Sequence, residues 1–174
     1  MFFGASMTVW LLTHCGRQQT TQSVDGTTGY GLRNEHERLD QQLAMGMLQN
    51  ADSTLCVIDS LQAHDILPLS IADFERGTCY TMMEEHRVGE YYYKKSLEGK
   101  QLFMEWPDAY YRASTNLAIL LSRKNDEQGA LQVATTALNM LRQRTEEENG
   151  RWESALLFNI GNSQVRLGYR SSCS

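Results

Sequence analysis

The chain has 174 residues, 41% of them hydrophobic, and a net charge of −5 with both signs scattered along its length. This suits one modest domain or an array of a few repeats. It excludes a sequence-independent nucleic-acid binder, which needs a basic stripe to displace phosphate counterions. Only two prolines, Pro68 and Pro107, interrupt a sequence rich in Ala, Leu, Gln, Glu and Arg, so the expected fold class is all-α.

Residues Met1 to Leu12 are apolar and uncharged, yet too short to span a bilayer. They have the short apolar core of an export signal. The following Leu12-Thr13-His14-Cys15-Gly16 resembles a bacterial lipoprotein cleavage box, although no Lys or Arg precedes the apolar run and His14 stands where a small residue is preferred. The resemblance implies lipidation at Cys15, a membrane tether there and a location in the cell envelope. The competing reading of 1–12 is a short hydrophobic helix packed on the domain. The signal is favoured because residues 16–31 are polar and rich in Gly, Thr and Gln, the composition of a flexible linker.

From Leu32 the apolar spacing is helical, with one helix to about Gln49. A second follows Asp52-Ser53 as a cap and stops at Pro68, and a third starts near Ser70. Its partner runs from Val88 through the triple Tyr91-Tyr92-Tyr93 to Trp106. Consecutive residues on a helix point about 100° apart, so the three tyrosines cannot form one platform and core packing is expected of them. Pro107 opens the next helix, since proline is tolerated in a first turn. Asn125-Asp126 is the turn and cap before Gln128 to about Arg144, Glu146-Glu147-Glu148 is a solvated end, and Trp152 to Leu167 is the last helix. The domain boundaries expected are 1–15, 16–31, 32–168 and a tail, 169–174.

Cys15, Cys56, Cys79 and Cys173 form no Cys-x2-Cys pair, and His14, His36, His64 and His86 are equally dispersed. Zinc ligands come at short spacings, so no metal and no cofactor is expected. A Cys56–Cys79 disulfide stays open as an alternative to two buried thiols. Glu84-Glu85-His86 lacks a second His four residues away, and no phosphate loop or nucleophile elbow occurs, so the chain is not read as an enzyme.

Two stretches repeat one spaced residue set. Gly77, Tyr80, Gly89, Tyr93 and Ser96 match Ala118, Leu121, Ala130, Ala134 and Ala137, in each case at 0, 3, 12, 16 and 19. The copies lie 41 residues apart, and Gly161, 43 beyond Ala118, begins a third copy. Periods of this size mean stacked supersecondary units. Two antiparallel helices approach closely only where a side chain is tiny, which makes Gly77/Gly89 and Ala118/Ala130 the expected contacts.

The set resembles that of the tetratricopeptide (TPR) family over about Ser70 to Leu167, with a weaker partial copy in Ser53, Val57 and Ser60. The resemblance implies antiparallel helical hairpins stacked as a right-handed solenoid, with the last repeat incomplete. It also implies a groove lined by the first helices, for a protein or peptide partner. Arg112, Asn116, Ile119 and Arg123 share one helix face, and Ala155, Asn159, Asn162 and Arg166 repeat the same steps. Asn amides pair with a peptide backbone and Arg clamps a carboxylate. The alternative is that these are ordinary solvated positions.

After Gly168 the sequence offers no covering helix for the apolar side of Trp152, Leu156 and Ile160, so either a fragment of a longer chain or self-association through this uncapped last helix is expected. A signal-like start, a polar tether and long TPR-like repeats together resemble the extracytoplasmic sensor region of bacterial membrane-bound histidine kinases and LuxR-type regulators. The expected function is therefore a noncatalytic sensor or scaffold module. The alternative is an accessory lipoprotein in glycan binding or uptake, for which the triple Tyr and Trp106 are the candidate aromatics.

Overall fold

A computed structural model describes residues 28–144 and 150–172, and among these all regular structure is helical. The chain divides after Asn50 into two units. In the first, α1 (Thr28–Gln49) starts four residues before the expected Leu32 and takes in the end of the expected linker. Residues 1–27, with the signal-like segment and Cys15, lie outside the described residues, as do Glu146-Glu147-Glu148 and Cys173.

The second unit holds α2 (Ala51–Ala63), α3 (Leu69–Met82), α4 (His86–Leu97), α5 (Lys100–Glu105), α6 (Pro107–Arg123), α7 (Glu127–Arg142) and α8 (Gly150–Ser172). Two expected caps fail. Asp52 lies inside the first turn of α2, where its charge suits the helix dipole. The N-cap of α3 is Pro68 with extended ψ of 146°, so the helix starts at Leu69 and Ser70 falls too far in to cap. The single helix expected from Val88 to Trp106 is broken, because Gly99 adopts φ −99°, ψ 154° between α4 and α5. Glycine costs more than any other non-proline residue to hold in a helix interior. Pro107 does open α6, and the Asp126 carboxylate accepts the Gly129 amide at 2.9 Å to cap α7.

The helix ends repeat a geometry. Glu84 and Asn125, 41 residues apart, have φ of 64° and 66°, and the next amides, Glu85 and Asp126, donate to the Tyr80 and Leu121 carbonyls at 2.9 Å in both turns. Asp65, φ 54°, ends α2 in the same way through Ile66 N–H to Leu61 O. This left-handed closure satisfies carbonyls that a helix end leaves orphaned.

Adjacent helices pack antiparallel. Tyr93 of α4 is fully buried, its ring lies over Gly77 of α3, and Gly89 meets the Gly77 carbonyl and Thr81. Between α6 and α7, the Tyr110 hydroxyl lies 2.9 Å from the Met140 sulfur at one end and Ser122 Oγ donates to Glu127 at the other. Glu127–Arg166 and Arg142–Glu153 bridge α7 to α8 in the same sense. Between α6 and α8 the order is parallel: Trp152 Nε1 donates to Asp108 at 2.6 Å, and Arg166 reaches the Ser122 carbonyl at 3.4 Å. Ile71, Ala72, Phe74, Cys79, Leu102, Ala113, Leu117, Ala118, Leu121, Ala130, Ala134, Ala137 and Leu141 form the core between these helices.

The third copy departs from the first two. A Cβ on Gly161 would meet nothing within 4 Å, and α8 continues through Gly168, with helical rather than left-handed backbone, to Ser172. The last helix therefore runs past its expected end at Leu167 and takes in residues 169–172 of the expected tail.

Candidate binding surface

The parallel register of α6 and α8 sets the candidate groove residues side by side, because contacts between the two helices join residues 41 to 44 apart. Ile119 then lies beside Asn162, and Arg123 beside Arg166. Ile119, Arg123 and Asn162 are exposed. Arg166 is exposed too but bonds back onto the fold, and Arg112, Asn116 and Asn159 are half-buried. The Arg112 guanidinium lies 5.0 Å from the centre of the Phe74 ring, a cation–π contact between α6 and α3. Asn116 donates its amide to the Tyr93 hydroxyl at 3.0 Å, and that hydroxyl donates on to Thr78 Oγ1 at 3.3 Å. Burial raises the pKa of Tyr93, keeping it a neutral phenol that can play both parts.

Asn159 occupies the place of Asn116 one unit later, but its Nδ2 is buried with no hydrogen-bond partner among the described residues. The residue 41 after Tyr93 is Ala134, which has no hydroxyl to offer. Arg166 turns back on the fold, donating at 3.2 Å to the fully buried Glu127 carboxylate, which also accepts Ser122 Oγ at 2.9 Å.

A second feature was not foreseen. Arg87, Glu90, Tyr91 and Lys94 of α4 join Lys124, just after α6, around an open depression of about 360 Å³. Glu90 accepts Lys124 Nζ at 2.6 Å and Lys94 Nζ at 2.8 Å. Burial pushes the Glu90 carboxyl up, but these two ammonium groups outweigh it and hold its pKa below the ordinary value. The depression thus keeps a surplus of positive charge beside the exposed Tyr91 ring. The only sequence signal was the Glu90/Lys94 spacing of four, because Lys124 comes from 34 residues away. Of the other two tyrosines, Tyr93 enters the core and Tyr92 stacks on Tyr80 with ring centres 5.5 Å apart, so no shared platform forms.

Cys56 is an exposed free thiol on α2 and Cys79 a buried one on α3, so the disulfide alternative is not realised. Burial, with the Glu75 charge adding to it, pushes the Cys79 thiol up to about 12. Among the described residues no three His, Cys, Asp or Glu converge to hold a metal ion, and no helix is long and apolar enough to cross a membrane. Chemically the surface offers guanidinium, ammonium, amide and apolar groups, which can hold a ligand through ion pairs, hydrogen bonds and apolar contact. No family model matches the chain, and no curated protein or solved structure matches it.

Proposed function

We propose that this chain is a noncatalytic binding module of tetratricopeptide-like hairpins, exported and tethered through Cys15, that serves as the sensor or scaffold part of a bacterial envelope signalling protein. The observation that carries the reading is the parallel pairing of α6 and α8 at 41 to 44 residues, tied by Asp108–Trp152 and Ser122–Arg166. Equivalent helices side by side present equivalent positions in rows. The exposed row of Ile119, Arg123 and Asn162 combines an apolar contact, a carboxylate clamp and a backbone-pairing amide. Those chemistries suit an extended peptide with an acidic residue or a free carboxyl terminus.

The test is to pan a random-peptide display library on the purified chain. Enriched peptides should lose at least tenfold in affinity to Arg123→Ala and to Ile119→Asp, while both variants keep the parent melting temperature. No enrichment, or affinities untouched by both substitutions, removes the groove. The tether is tested separately: a palmitate analogue should label the wild-type chain in bacteria, and Cys15→Ser should abolish the label.

A further inference from the structure

Phe158 stands three residues before Gly161, as Phe74 stands three before Gly77. Phe74 is fully buried, with its ring centre 6.2 Å from that of Tyr93, whereas Phe158 is 69% exposed. Val165, four residues after Gly161, is 57% exposed, and Leu157 beside them is also exposed. These residues fall on one face of α8, which no described residue covers at Gly161.

The α3–α4 contact shows what such a face accepts. It is built from two half-codes. The first helix supplies an aromatic and, three later, a glycine (Phe74, Gly77). The second supplies a glycine and, four later, a large side chain (Gly89, Tyr93) that lies over the first helix's pair. Helix α8 carries both half-codes on one face: Phe158 and Gly161 read as the first, and Gly161 with Val165, a smaller apolar side chain in the place of Tyr93, as the second. It is complementary to itself in antiparallel orientation, which is the requirement of a two-fold interface.

We propose that α8 is a homodimerisation helix, pairing antiparallel with α8 of a second copy about Gly161. Each Val165 covers the partner's Gly161 and Phe158, as Tyr93 covers Gly77 and Phe74. Charge agrees with the orientation. Near this face the charged residue is Arg151, at the N-terminal end of α8. Antiparallel pairing sets the two copies of it at opposite ends, where parallel pairing would set them together.

The proposal is tested by sedimentation velocity on the full chain from low to high micromolar concentration, with Phe158→Asp and Gly161→Leu compared. Wild type should double in mass with concentration, and both variants should remain monomeric, with melting temperatures undiminished at the low concentration where wild type is monomeric too. Gly161→Leu is the discriminating variant. It adds apolar surface into open space, so a merely sticky face would associate more strongly, while the two-fold contact loses its close approach. A monomeric wild type overturns the proposal. So does association that survives Phe158→Asp or that Gly161→Leu leaves unchanged or strengthens, the result expected if another segment or simple apolar clustering were responsible.

Discussion

The ring of Tyr93 lies so close over Gly77 that a Cβ on the glycine would come within 2.7 Å of the ring's Cδ1. The ring has nowhere to go: it is fully buried and its hydroxyl is held by Asn116 and Thr78. Gly77→Ala should therefore destabilise the chain by about 1–3 kcal/mol, the usual cost of overpacking. At a concentration where the chain is monomeric, Gly161→Ala, whose new methyl meets no described residue, should instead stabilise by about 0.5–1 kcal/mol through helix propensity. Urea denaturation of the two variants checks both signs, and similar behaviour would refute the contrast drawn between covered and uncovered copies.

That contrast marks how far the sequence could be read. The spacing of small residues identified the α3–α4 approach because the glycines have no other use in a helix interior. It could not say that Gly161 is uncovered, since coverage depends on a neighbour and not on spacing. Helix-face counting named Asn116 and Arg166 as candidate groove positions. It missed that a Tyr93 hydroxyl and a buried Glu127 carboxylate stand within their reach. The Glu90 depression is assembled across 34 residues, and no local pattern records it. Helix boundaries slipped where backbone rules overrode side-chain cues, at Pro68 for Ser70 and at Gly99 inside the expected long helix.

The repeated turns give a second prediction. Glu84 holds φ 64°, a left-handed conformation that a Cβ opposes and glycine adopts freely. Glu84→Gly should stabilise the chain by about 0.5–1 kcal/mol, or about 1–4 °C in melting temperature. Asn125→Gly at φ 66° should gain less, because Asn already tolerates this region. Calorimetry on the two variants decides it: a loss of stability in Glu84→Gly would mean that its side chain holds the turn by a contact worth more than the strain.

Thiol reactivity should separate two cysteines. The thiolate is the reactive species, and the Cys79 thiol, pushed up to about 12 and closed off from solvent, supplies almost none at neutral pH. A maleimide added to the native chain should mark Cys56, which is exposed, and reach Cys79 only in denaturant. Peptide mapping by mass spectrometry reads the sites directly. Native labelling of Cys79 at a rate like that of Cys56 would contradict the packing of α3.

The Glu90 cluster makes stability depend on pH in a defined direction. Lys124 and Lys94 hold the folded carboxyl below its ordinary value against the opposing effect of burial. A depressed folded pKa contributes stability that is fully present above the unfolded value near 4.3 and is lost as pH falls through the folded one. Both lysines are half exposed, so the contribution is about 0.5–1 kcal/mol and is screened by salt. Glu90→Gln keeps the shape and removes the charge. It should be less stable than wild type by that amount at about pH 6, and the gap should close towards about pH 3 as wild type takes up its own proton. Urea midpoints of the two proteins at both pH values measure the gap. A difference that stays constant across that range would mean that Glu90 acts through packing and neutral hydrogen bonds, and that the two lysines contribute nothing through their charge.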